Sequence, residues 1–191
     1  MRGGSAVRRF GGWVSLVALL GVAVPASLAA QGQAAEPPNR PEPGSELTIS
    51  VLTMGVGAEV WERFGHNAIV VEDRAQGTSI AYNYGMFSFT QENFVLRFVQ
   101  GLMTYWMEGF DTERDLARYV RRKRAVWQQE LDLTPAERVA MRDALAWNAR
   151  EENRYYKYDY YLDNCSTRVR DALDRIVGGA MKARAGLAEV Q

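Results

Sequence analysis

Histidine and cysteine occur once each in this sequence, as His66 and Cys165, and both are side chains that do chemistry. His66 stands in Phe64-Gly65-His66-Asn67-Ala68-Ile69, with a glycine before it and an apolar run after it. Cys165 stands in Asp163-Asn164-Cys165-Ser166-Thr167-Arg168, where polar residues open what reads as the first turn of a helix. The positive end of a helix dipole stabilises a thiolate, and an imidazole can take its proton. A buried free cysteine can equally be a small hydrophobe, but the polar flanks and the helix start favour a nucleophile. A lone histidine can be a structural one bonded to a carbonyl. Any general base acting beside the thiol, however, has no other imidazole to draw on.

Other chemistries fit less well. There is no Gly-x-Ser-x-Gly elbow for a serine hydrolase, and one His with one Cys makes a poor zinc set. Gly55-Val56-Gly57 lacks the third glycine of a dinucleotide loop and reads as a turn. No metal and no cofactor is implied. Asn164-Cys165-Ser166 matches a glycosylation sequon, but a glycan would not fit at the entry of an inward-facing helix.

The elements that must position the pair follow from pattern. Residues 1–30 read as a signal peptide: Arg2, Arg8 and Arg9, then an uncharged apolar stretch, then small residues to Ala30. An uncleaved anchor is the alternative. Residues 31–45 are a Pro/Gly/Glu-rich linker. Without the three leader arginines, 20 basic side chains face 23 acidic ones, a net charge of −3. That balance argues against nucleic acid as a partner. A single cysteine forms no intrachain disulfide, so in an oxidising exported compartment the thiol is either inert or kept for reactivity.

A domain over 46–180 and a tail over 181–191 complete the organisation. Leu47–Leu52, Asn67–Glu72, Thr78–Tyr84, Met103–Phe110 and Val126–Leu133 read as strands. Helices are expected over 91–100, 112–123, from Pro135 to about Arg150, and from Asn164 or Cys165 to Val177. Thr134-Pro135-Ala136-Glu137 is a capping box with proline in the first turn. On the last helix Cys165, Val169, Ala172, Leu173 and Ile176 share a face, so the thiol end points inward. The class is α+β with a largely antiparallel sheet. The basic cluster Arg118, Arg121, Arg122, Lys123 and Arg124 reads as a solvated helix end, or as a contact for anionic headgroups. The apolar-aromatic stretches 102–110 and 155–161 are either core or the wall of an acyl groove.

Four motifs in order carry a resemblance: Phe-Gly-His-Asn-Ala (64–68), Tyr-Asn-Tyr-Gly (82–85), Met-Thr-Tyr-Trp (103–106) and Tyr-Tyr-Leu-Asp-Asn-Cys-Ser-Thr-Arg-Val-Arg-Asp (160–171). Together they resemble the Lnb N-terminal periplasmic domain family from about Leu47 to Gly179. The resemblance implies a permuted papain-like fold of the NlpC-type or lecithin retinol acyltransferase-like group, with a nucleophile-bearing helix on an antiparallel sheet. It implies Cys165 as nucleophile and His66 as general base. Asn83 is the choice for the third, orienting position, with Tyr82, Tyr84 and Asn67 as rivals. Backbone N–H groups around Asn164 to Ser166 are expected to stabilise an oxyanion.

The implied function is an exported, periplasmic thiol acyltransferase that moves a fatty acyl group onto a lipoprotein or other amine. Its substrates would be a phospholipid or lipoprotein, with peripheral membrane contact. A cysteine peptidase or amidase acting on cell-wall peptides is the enzymatic alternative. A non-catalytic envelope binding domain is the alternative of another class.

Overall fold

The computed structural model describes residues 41–93, 96–97, 100 and 103–188. The expected signal peptide and most of the linker lie outside the described residues, as does much of the helix expected over 91–100.

Six strands form one sheet: β1 (Leu47–Met54), β2 (His66–Asp73), β3 (Thr78–Met86), β4 (Thr104–Asp111), β5 (Val126–Glu130) and β6 (Tyr155–Lys157). Their spatial order is β5-β1-β2-β3-β4-β6 and every neighbouring pair is antiparallel. Among the described residues there are four α-helices, α1 (Thr112–Arg121), α2 (Pro135–Asn148), α3 (Cys165–Ile176) and α4 (Ala180–Ala188), with a 3₁₀ turn at Val60–Glu62. The class is α+β, as the pattern predicts. No helix among the described residues is long and apolar enough to cross a membrane.

Alternation along the central strands feeds two cores, because successive side chains leave opposite faces. Leu47, Ile49, Ile69, Val71 and Tyr84 pack under Met141 and Leu145 of α2 and Val169 and Leu173 of α3. Leu52, Met54, Ala68, Val70 and Ala81 pack under Leu116 and Tyr119 of α1. Each fully buried aliphatic side chain contributes about 1.5–3 kcal/mol, so strands covered on both sides make a rigid floor for whatever stands at their ends.

Capping residues start and stop the helices, the Thr134–Glu137 box among them as the sequence predicts. Asp111 accepts from the Arg114 amide to start α1. Thr134 and Glu137 close a reciprocal box on α2. Gly178 and Gly179, both at positive φ, end the helix that Cys165 begins. Three differences stand out. The strand expected to reach Leu133 ends at Glu130. The tyrosine-dense connection contains a short edge strand, β6. The chain beyond the two glycines forms α4, whose alanines, Met181 and Lys182 are strong helix formers.

The β2–β3 hairpin sets the register on which the site depends. Asp73 Oδ1 accepts from the amides of Ala75 and Gln76 at 2.9 and 3.0 Å, folding the turn back on itself. Counting back from that turn, Ala68 faces Asn83. A slip of one residue would turn Asn83 to the opposite face.

Candidate active site

His66 is the first residue of β2 and is delivered there by Gly65. Gly65 has φ +73, and a Cβ on it would meet the Met54 carbonyl oxygen at 2.7 Å. Only glycine combines that backbone with that approach. Asn83 lies on the neighbouring strand, 1% exposed, on the face covered by α1. The His66 Nε2 to Asn83 Oδ1 separation is 2.9 Å.

The direction of that hydrogen bond follows from what lies behind it. Asn83 Nδ2 stands 2.9 Å from Asp115 Oδ2 and 3.2 Å from the Ala81 carbonyl. Both partners only accept, so the amide NH₂ must face them and Oδ1 must face the imidazole. His66 therefore carries its proton on Nε2 and donates it to Asn83. In the neutral ring Nδ1 is then left with its lone pair. A carboxylate on α1 thus sets the tautomer of a histidine on β2 through one amide. Asp115 itself is fully buried and is neutralised by Arg118, whose guanidinium also lies 4.4 Å over the Phe110 ring.

Cys165 is the first residue of α3 and reaches the pair from the other face of the sheet. Asn164 caps the helix by accepting from the amides of Ser166 and Thr167 at 2.9 and 3.0 Å, and Thr167 Oγ1 accepts from the Asn164 amide in return. Asp163 grips Arg168 through two contacts, 2.5 and 2.7 Å, tying the approach loop to the helix. The crossing point is a bulge in β3, where three steps from Asn83 to Met86 oppose two from Glu108 to Trp106. Gly85, at φ +83, sits in that bulge, and a Cβ there would lie 3.8 Å from both Cys165 Cβ and the Tyr156 hydroxyl. The site demands glycine for its backbone conformation rather than for space.

The Cys165 thiol is half-buried, at the helix start beside His66. Burial pushes its pKa up. The His66 hydrogen bond and charge, the Asn67 backbone N–H and the Ser166 hydroxyl outweigh that and hold it below the ordinary thiol range. Asn67 also donates its side-chain amide to Ser166 Oγ at 2.8 Å, stitching β2 to α3 beside the sulfur. Such a constellation can generate a thiolate and deliver it to an electrophilic carbonyl.

The structure therefore brings together Cys165, His66 and Asn83, with Asn67, Asn164 and Ser166 around them. Other expectations need correction. The Ser166 amide is taken by the cap, so it is not free to receive an oxyanion. Tyr82 makes no hydrogen bond to His66 or Cys165 among the described residues; its side chain leaves the other face of β3, where it lies alongside Gly109. Tyr84 donates instead to Asn148 Oδ1 at 2.8 Å. The basic cluster is not uniformly solvated, because Arg118 serves Asp115, and Arg122 and Arg124 bind Glu62.

Two residues escaped sequence reasoning. Asp115 is one; it precedes Leu116 and stands four before Tyr119 on the inward stripe of α1, which was the available signal. Tyr156 on β6 is the other. Its hydroxyl is buried close to Gly85 and Cys165, and Arg168 lies 3.6 Å over its ring.

Comparison with known proteins gives one match. Residues 39–189 match the Lnb N-terminal periplasmic domain. No curated protein and no solved structure matches the chain.

Proposed function

The chain belongs to the Lnb N-terminal periplasmic domain family, and from that membership together with the site geometry we propose that it is an exported thiol-dependent acyltransferase. The observation that carries the reading is the hydrogen-bonded series Asp115–Asn83–His66, set beside a Cys165 thiol that His66 helps to hold below its ordinary pKa. Periplasmic location follows the family, and the wider papain-like kinship of the fold belongs to the same proposal.

In the proposed reaction His66 Nδ1 takes the thiol proton and Cys165 Sγ attacks the carbonyl carbon of a phospholipid ester. The C–S bond forms and, as the tetrahedral intermediate collapses, the ester C–O bond breaks. The imidazolium returns the proton to the leaving alkoxide, which departs as an alcohol. An amine then attacks the thioester; a C–N bond forms, the C–S bond breaks, and the amine's proton passes to His66 and on to the thiolate. Asn83 keeps the imidazole in the tautomer this needs. The Cys165 backbone N–H at the helix start, not that of Ser166, is the oxyanion donor in this scheme.

Acyl transfer is favoured over peptide hydrolysis by the walls. Tyr158, within electrostatic reach of Cys165, stacks on Tyr105 at 4.5 Å. Tyr105 touches Phe87 at 5.4 Å, and Phe87 touches Phe89 and Trp61 at 4.9 and 6.3 Å. This line of rings runs from the thiol's surroundings to the surface and suits an alkyl chain. Incubation with phospholipid followed by intact-mass and peptide mass spectrometry should show one acyl adduct on Cys165. The adduct should be absent in Cys165→Ala and strongly reduced in His66→Ala. No adduct in the wild-type protein would refute the proposal.

A further inference from the structure

Three loops converge beside the site, and all of them put large apolar side chains into solvent. The 3₁₀ turn and the residues after it expose Val60, Trp61 and Phe64, with Phe64 74% exposed. The loop entering α3 exposes Tyr160, Tyr161 and Leu162, the last two at 80% and 79%. Phe64 packs edge-on to Tyr160 at 5.0 Å, which joins the first two loops, and Trp61 packs on Phe89 at 5.0 Å, which joins the third. Leaving such residues exposed on water-facing loops gains nothing for the fold; a contiguous exposed patch of this kind marks an interface.

Charge identifies the occupant. The turn after α1 is fastened to the 3₁₀ turn by the Arg122–Glu62 pair, supported by Arg124 to Glu62 at 3.2 Å and by Arg124 to the Gly55 carbonyl. Arg121 and Lys123, both exposed, flank the fastened Arg122 in sequence, and Arg63 on the aromatic loop is exposed as well. The whole chain has zero formal net charge, so these cations are a local feature rather than general basicity. Aromatic rings beside exposed Lys and Arg are the chemistry of a lipid–water interface. The rings enter the headgroup level and the cations meet anionic phosphates.

We propose that this face docks on an anionic phospholipid bilayer, with the tips of the 60–64 and 160–162 loops entering the interface and Arg63, Arg121 and Lys123 holding headgroups. Docking there puts the mouth between His66 and Cys165 against the surface from which an acyl chain would come. The inference rests on the surface and not on the thiol chemistry, although it supplies the acyltransfer reading with a route to its donor.

The test is flotation of the exported protein, carrying Cys165→Ala so that no turnover intervenes, with vesicles of phosphatidylcholine alone or mixed with phosphatidylglycerol. Binding should require the anionic lipid and weaken as salt rises. Phe64→Ser with Leu162→Ser, and separately Arg121→Glu with Lys123→Glu, should each weaken partitioning about tenfold or more. These positions are exposed, and a circular dichroism spectrum matching the parent confirms that the variants fold. Absent or variant-insensitive vesicle binding overturns the proposal. So does concentration-dependent self-association lost in the same variants, which would assign the face to a second copy. Failed docking with intact acylation of Cys165 by a water-soluble ester removes only the membrane proposal. Intact docking without acylation by any ester removes only the thiol proposal.

Discussion

Replacing Asn83 by alanine should be among the most damaging single changes to this domain, and its cost can be assembled from contacts. Asn83 is 1% exposed, accepts from His66 Nε2 at 2.9 Å, and donates to Asp115 Oδ2 at 2.9 Å. The substitution leaves a half-buried imidazole N–H without its acceptor and a fully buried carboxylate oxygen without a donor, each worth about 1–3 kcal/mol. The lost amide volume adds about 1 kcal/mol. The expected destabilisation is about 3–7 kcal/mol, a large share of the roughly 5–15 kcal/mol typical of a domain. Asp115→Ala should also destabilise, since it strands Arg118 and the Asn83 amide. In the double variant the orphaned carboxylate is gone, so the losses should not add. Urea denaturation of the four proteins should give a coupling of about 1.5–3 kcal/mol, the range for a hydrogen bond to a charged group. Additivity within about 0.5 kcal/mol would show that the amide does not serve the carboxylate, and the tautomer argument for His66 would fall with it.

Three further outcomes follow from the same site. Alkylation of Cys165 by iodoacetamide should show a midpoint below that of a free thiol. Because the thiolate is favoured in the fold, reactivity should persist as pH falls and be lost only below the depressed pKa; His66→Ala should move the midpoint up, and an unmoved midpoint would contradict the hydrogen bond. Gly85→Ala should cost about 1–2 kcal/mol in a thermal or urea melt, since φ is +83 while the nearest side-chain atoms are 3.8 Å away, and a neutral result would mean the bulge relaxes freely. Tyr156→Phe should change stability by no more than about 1 kcal/mol in either direction, because the buried hydroxyl has only the Gly85 backbone within reach; a larger loss would show that the hydroxyl is fully satisfied.

The parts of the site written in local sequence were readable in advance. Asn164 precedes Cys165 with Thr167 three residues on, so the cap that presents the thiol is a property of consecutive residues. Gly65 before His66 and the Asp73–Gly77 turn are equally local, and the turn fixes which residue of β3 stands beside the histidine strand. Periodicity also gave the sheet and the inward face of α3. What could not be read locally depends on which face of a distant element is turned inward. β6 is three residues long and exists because the edge of β4 offers it hydrogen bonds, not because Tyr155–Lys157 insist on a strand.

Asp115 illustrates the limit most clearly. In sequence it is one acid in a helix rich in charge, and Arg118 at i+3 looks like a solvated partner with a contribution of a few tenths of a kcal/mol. Burial inverts its meaning. A carboxylate with no exposure is tolerated only where donors meet it, and here the donors are Arg118 and the amide that orients the imidazole. The arginine that reads as surface decoration therefore holds the carboxylate that fixes the Asn83 amide beside His66. Its substitution by glutamine should weaken the hold on Asp115 without touching His66 or Cys165. If the relay is real, Arg118→Gln should raise the Cys165 alkylation midpoint in the direction of His66→Ala but by less. A variant that loses stability with that midpoint unchanged would confine Asp115 and Arg118 to holding α1 against the sheet.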